Sequence, residues 1–211
     1  SLHGNAAKGS YLPEPLQVRD QGYRTPVSVL NLMDHSAGFE DRALGQLMER
    51  NPARERSLDD YLRQERPRRV HAPGLLSSYS NYGAALAGKA VVYVEGKPFE
   101  RLMEDQIFTP LGLAHTTFRE IRPAKAGLAA PMPAALTRDM ADGYRWTSTG
   151  FVRRPYEYLG HIAPAGAASS TAGDMSRYMM ALLNNGTLEG VTIFGPKAAQ
   201  IFPQVEYVRI V

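Results

Sequence analysis

The stretch "APGLLSSYSNYGAALAG", Ala72 to Gly88, decides how this chain is read. Its first half is polar and turn-rich, and its second half is a run of small residues in helical style. In an extended or turn segment, side chains at i and i+2 point to the same side. Tyr79 and Asn81 therefore face one way and Ser80 the other. Ser80 is free to cap the following helix, predicted over about 82–95, with Gly96 as its C-cap. A phenol has a pKa of about 10. Cationic neighbours lower it, which would fit Tyr79 for proton relay. Asn81 offers an acceptor and donors to an amide-like ligand. A plainer reading stands beside this one: a Tyr packed at a helix start and an Asn acting as cap.

Upstream, Thr25-Pro26 reads as an N-cap with Pro at the first helical position. Val27, Leu30 and Met33 follow at a spacing of three, so a helix is predicted over about 26–34, stopped at "DHSAG", where Gly38 takes positive φ. Ser57-Leu58-Asp59-Asp60 has capping-box spacing and opens a helix to about Glu65, ended by Pro67. Downstream, Pro98 starts a helix with Phe99, Leu102, Met103 and Ile107 on one face, and "TPLGL" terminates it. "GYRW" and "GFVRRPYEY" read as hairpin strands around "TSTG". Thr171 to Asp174 caps "MSRYMMALL", whose Met175, Tyr178, Met179 and Leu182 form a stripe assigned to the core. "GHIAPAGAASS", Gly160 to Ser170, is either a cleft rim or a tight small-residue turn.

Composition narrows the function classes. The 211 residues are 44% hydrophobic, enough for a sizeable core, and a net charge of +3 gives no case for nucleic-acid or membrane-surface binding. The densest basic run, "RQERPRR" (Arg63 to Arg69), reads as a solvated helix end and loop. The absence of Cys excludes disulfides, thiolate metal sites and Cys nucleophiles. The five His are not spaced as a helical metal pair, and G-x-S-x-G, H-E-x-x-H, the P-loop and G-x-G-x-x-G are missing. No metal or cofactor is expected. Asp34-His35-Ser36 has triad letters, but adjacent side chains diverge along the backbone and cannot converge as a triad needs to. No apolar run of about 18 residues spans a bilayer. "SLHGNAAKGS" has neither an initiator Met nor a signal-peptide pattern, so a start partway through a longer protein is expected.

The flanks of Tyr79 carry a family resemblance. "VSVLNLMDHSAGF" resembles the T-x-x-x-L-L-x-H-T-S-G segment of serine β-lactamase-like hydrolases. This family includes class C β-lactamases, penicillin-binding esterases and D-aminopeptidases. "PGLLSSYSNYGAALAGKAVVYVEGKPFERLMEDQIFTPLGLAHTTF" is similar to its P-G-x-x-x-x-Y-S-N block and the I-F-x-P-L-G-M continuation. "APAGAASSTAGDMSRYMMALLNNG" resembles its P-A-G-G-L-x-S-T-A-x-D-M block, and "GSYLPE" the loop after the nucleophile helix. The resemblance covers about residues 1–200 in family order. It implies an α/β sheet domain joined to a helical domain, and acyl transfer through a serine ester. It gives Tyr79 the role of proton relay or general base, and Asn81 that of positioning the substrate amide. The substrate class implied is a small acyl compound: a β-lactam, an ester or a D-amino-acid peptide. A periplasmic or secreted location is slightly favoured.

The departures matter as much. No Ser is followed three residues later by Lys, so the family's nucleophile Ser and its Lys are absent. No (K/H)-x-G follows residue 186. The expectation is a single incomplete domain, mainly α with little sheet and the main sheet largely missing. Its parts are a loop over 1–24, a helical region with the Y-x-N motif over 25–119, an irregular region with a hairpin over 120–168, and a helix with its following segment over 169–200. Such a chain is expected to be inactive by itself, with exposed apolar surface favouring an oligomer or partner. The alternatives are a non-catalytic interaction protein that keeps the helical domain, or a half needing a complementing chain.

Overall fold

A computed structural model describes residues 11–18, 22–42 and 47–205. The loop expected over 1–24 therefore lies partly outside the described residues. Within it, Glu14–Leu16 forms a 3-10 turn that buries Leu16 completely.

The architecture is mainly α with little sheet. Three helices form its first half: α1 (Val29–Met33), α2 (Leu58–Gln64) and α3 (Asn81–Glu95). α4 (Phe99–Met103) runs into a π-helical turn at Glu104–Phe108, and α5 (Ala134–Arg138) follows. A hairpin of β1 (Tyr144–Thr147) and β2 (Gly150–Arg153) precedes the short α6 (Ala163–Gly166). α7 (Ala172–Leu183), the two-residue strands β3 (Thr187–Leu188) and β4 (Val191–Thr192), and α8 (Pro196–Val205) complete the order. Both sheets are antiparallel pairs. No helix among the described residues is long and apolar enough to cross a membrane.

α3 is the centre of the larger core. Ser80 is extended, and its Oγ accepts the Gly83 N–H at 3.1 Å. Gly96 closes the helix at φ 67, a left-handed conformation suited to glycine. Tyr82, Gly83, Ala85, Leu86, Gly88 and Ala90 are buried as α1, α2 and α6 close around the helix. A side-chain carbon on Gly88 would collide with Pro164 of α6, which explains the small residues there. Phe39, Leu62, Leu86 and Ile162 fill this core. Phe108, Leu111, Leu113 and Ala181 form a second one.

Three expectations need correction. α1 begins at Val29, not near residue 26, because Ser28 and Asn31 form a reciprocal capping box: Asn31 N–H donates to Ser28 Oγ, and Ser28 N–H to Asn31 Oδ1. The helix stops at Met33, and Gly38, at φ 84, serves the loop beyond it. The basic run is not uniformly solvated. Arg66 donates to the carbonyls of Pro15 and Gln17, and Arg69 is 7% exposed, donating to Ala37 O and lying over the Tyr23 ring. Arg63 and Arg68 are its exposed basic residues. Finally, the stripe on α7 is only partly core: Tyr178 packs against the second core and Leu182 is half-buried, whereas Met175 and Met179 are exposed. Thr171 caps this helix as expected, but its buried positions are Asp174 and Ala181. Asp174 turns inward to accept from His115 N–H and Thr116 Oγ1–H, both at 2.7 Å. Met175, Met179, Met180 and Leu183 face solvent, Leu183 at 87% exposure.

The hairpin forms around the expected turn, but its second strand ends at Arg153 rather than running through "RPYEY". Thr147 pairs with Gly150 across a Ser148-Thr149 turn. "GHIAPAGAASS" supplies a 3-10 turn and α6, both packed on α3, in keeping with the small-residue turn.

Candidate functional site

The loop after α1 and the approach to α3 are laced together by their backbones. Glu40 N–H donates to Arg68 O and Val70 N–H to Gly38 O, with Phe39 and Arg69 as the bridging pair. Gly74 N–H donates to Ser36 O, and Ser78 N–H to His35 O. A Cβ on Gly38 would run into the His71 carbonyl, and its φ of 84 disfavours other residues as well. "DHSAGF" and "SSYSN", distant in sequence, thus fold as one unit.

This unit brings Tyr79 and Asn81 together. The Tyr79 hydroxyl donates to Asn81 Oδ1 at 3.2 Å. The Tyr79 ring packs on His35 with centroids 4.6 Å apart, and Tyr79 is 59% exposed. Ser80 points inward, as the i, i+2 argument requires, and its N–H donates to His35 Nδ1 at 3.2 Å. That bond puts the imidazole proton on Nε2. Asp41 completes the corner. It accepts the Asn81 N–H at 3.1 Å, and the Asn81 amide group lies 3.2 and 3.3 Å from its two oxygens. A carboxylate here also meets the partial positive charge at the N-terminus of α3.

His35 and Asp41 were not found as site residues from sequence. As a candidate, His35 enters the sequence reading only through the excluded Asp34-His35-Ser36 triad, and its bond to Ser80 is structural. Asp41 lies far from Asn81 along the chain, so no local spacing reveals it. Asp34-His35-Ser36 is no triad: Ser36 Oγ–H donates to Asp34 Oδ1 at 2.6 Å, while His35 turns to Tyr79. Three described lysines are engaged elsewhere, Lys89 with Asp59, Lys97 with Asp105 and Lys125 with the carbonyls of Ala53 and Glu55. The corner thus holds a phenol, an amide and a carboxylate, and the sequence has no Ser-x-x-Lys to add to them.

A second titratable cluster lies further along α3, beside a cavity of about 420 Å³ whose walls include Lys89, Phe99, Glu100, Arg119 and Glu120. Glu55 and Glu120 are 2% and 3% exposed. Glu120 accepts Leu159 N–H at 2.6 Å and Gly160 N–H at 2.9 Å, and Arg122 Nε lies 2.9 Å from Glu55 Oε2. A Cβ on Gly160 would strike both carboxyl groups, so only glycine admits this approach. Burial, and then the neighbouring Glu55, push the Glu120 carboxyl up to about 8 despite the two N–H donors. Burial likewise raises Glu100 and takes Tyr61 up to about 12. The cavity's cations are matched, Arg122 by Glu55, Arg119 by Glu104, Lys89 by Asp59 and Arg56 by Glu65. This cluster ties chain segments together.

Fold and corner together define the helical part of a β-lactamase and penicillin-binding-protein-like fold. The chain belongs to the Beta-lactamase family, whose model matches residues 9–200. Its relatives include a putative D-alanyl-D-alanine carboxypeptidase of Escherichia coli K12, 29% identical over 143 residues, covering 63% of this chain and 32% of the relative. The D-alanyl-D-alanine-carboxypeptidase/endopeptidase AmpH of the same strain is 26% identical over 191 residues, covering 89% of this chain and 44% of AmpH. Among solved structures, FmtA from Staphylococcus aureus matches with a TM-score of 0.65 at 20% identity, over 92% of this chain and 47% of FmtA. A β-lactamase/D-alanine carboxypeptidase from Yersinia pestis matches with a TM-score of 0.58 at 22% identity, over 91% of this chain and 48% of its own. The chain therefore spans less than half the length of these relatives.

Proposed function

We propose that Tyr79 and Asn81 are the proton-relay and amide-positioning groups of an acyl-serine hydrolase, and that this chain by itself carries no turnover. The observation that carries the reading is the Tyr79–Asn81 hydrogen bond at the open mouth of α3. In such a reaction a serine oxygen attacks the acyl carbonyl while its proton passes to the oxygen of Tyr79, which acts as base in its deprotonated, phenolate form. The proton then goes to the leaving nitrogen or oxygen, and water hydrolyses the ester through the same relay. Asn81, held by Asp41, keeps its amide oriented for a substrate amide. The acyl compound is a β-lactam, an ester or a D-amino-acid peptide, and family membership favours a periplasmic or secreted setting. Without a Ser-x-x-Lys pair, Tyr79 has no hydroxyl to deprotonate.

The test is turnover of nitrocefin, a p-nitrophenyl ester and a D-alanyl-D-alanine peptide by the purified chain. None is expected. In a longer polypeptide that supplies Ser-x-x-Lys, Tyr79→Phe should lower turnover by about 100-fold or more. Turnover by the 211-residue chain that Tyr79→Phe abolishes would overturn the proposal and reveal a nucleophile within it. A second reading, one half of an assembled hydrolase, is favoured by the solvent-facing Met175, Met179, Met180 and Leu183 of α7. It would show as activity regained on mixing with a chain that carries the missing pair.

A further inference from the structure

The β1–β2 hairpin gathers like charges that the catalytic corner does not use. A depression of about 250 Å³ at its base is lined by Arg50, Arg145, Val152, Arg153, Arg154 and Pro155. The scaffold holding these groups is well defined. Arg145 and Val152 are a cross-strand pair. Arg154 N–H donates to Gly143 O at 2.7 Å, which closes the base of the hairpin. Glu49 and Tyr158 exchange backbone hydrogen bonds of 2.7 and 3.0 Å, which bring Arg50 alongside. Two carboxylates face these four guanidinium groups. Glu157 Oε1 is shared by Arg50 at 2.9 Å and Arg154 at 3.0 Å, and Asp142 takes Arg153 at 2.6 Å. The Arg145 side chain is exposed, and its guanidinium makes no hydrogen bond or ion pair with any described residue. The local excess of positive charge approaches that of the entire chain, +3. Guanidinium groups repel one another unless anions lie between them, and their planar forks match carboxylate and phosphate oxygens.

We infer that this depression is a docking site for a multivalent oxyanion, with Arg145 as its free guanidinium and Arg50 and Arg154 turning from Glu157 toward the ligand. A group bearing two or more anionic oxygens is the chemistry it fits, whether carried as phosphate or as clustered carboxylates. The site is independent of the acyl-transfer chemistry proposed for Tyr79.

The chain carries its own reporter. Trp146 is the sole tryptophan, adjacent to Arg145 in β1 and packed edge-to-face on Phe151 at 5.0 Å. The experiment is titration of the 211-residue chain with pyrophosphate and, separately, citrate at constant ionic strength. Calorimetry and Trp146 emission provide the readouts. Saturable binding is expected with at least one of the two. Binding by pyrophosphate alone names a phosphate-bearing ligand, and by citrate alone a carboxylate-bearing one. Arg145→Ala should weaken binding about tenfold or more, and Arg145→Lys less. Added sodium chloride should weaken it too. Since the Arg145 guanidinium has no hydrogen-bond or ion-pair partner among the described residues, far-UV circular dichroism of both variants should match the parent chain. Undiminished binding by Arg145→Ala, or no saturable response to either anion up to about 10 mM, would overturn the inference.

Discussion

Tyr79 and Glu120 both depend on backbone turns packed beside α3, but their surroundings are opposite. Tyr79 is 59% exposed and makes a single hydrogen bond through its hydroxyl, whereas Glu120 is 3% exposed, accepts two backbone N–H groups and lies against Glu55. The Tyr79 corner is a surface presented by a rigid base. The Glu120 corner is itself part of the base. Perturbed ionisation therefore marks structure here, while the group assigned to chemistry lies in the open. The shifted carboxyl and the larger cavity thus lie at one end of α3 and the proposed relay at the other.

Mutations should separate the two corners by their cost. Glu120→Ala leaves two buried N–H groups and the Glu55–Arg122 pair without their neighbour. It should cost about 3 kcal/mol in urea denaturation. The same carboxyl gives a pH signature. Its folded pKa is raised above the unfolded value of 4.5 to about 8, so its contribution is fully present below about pH 4.5 and is lost as pH rises toward 8. The melting temperature should fall across that window, and Glu120→Gln should flatten the fall. Gly38→Ala forces a side chain into the His71 carbonyl at a left-handed φ, and should cost about 2 kcal/mol. Ser80→Ala removes the α3 cap and should cost about 1 kcal/mol. Tyr79→Phe deletes a hydroxyl bonded at the surface and should cost less than about 0.5 kcal/mol. If Tyr79→Phe proved as costly as Glu120→Ala, Tyr79 would be a structural residue and the contrast would fail.

What could be read from sequence was local. Ser57, Ser80 and Thr171 accept at the helix starts where their spacing put them, and the Ser148-Thr149 turn follows from "TSTG". The geometry of Tyr79, Ser80 and Asn81 followed from i, i+2 alternation. Long-range partners were not legible. Asp41 meets Asn81, and Glu120 meets Leu159 and Gly160, through loops whose closure leaves no periodic trace. The α7 stripe misled for a physical reason. Its apolar spacing is helical, but the neighbouring elements cover the Asp174, Tyr178 and Ala181 side and leave Met175 and Met179 exposed. Capping likewise moved the start of α1, because the reciprocal Ser28–Asn31 box outcompeted a Thr-Pro start.

The central claim is a proton relay standing without its serine. Intact-mass spectrometry of the purified chain after incubation with a fluorophosphonate or a penicillin tests it most directly, since either reagent marks an activated serine in a single turnover. An unmodified mass is expected. One covalent adduct on a serine, lost in Tyr79→Phe, would contradict it.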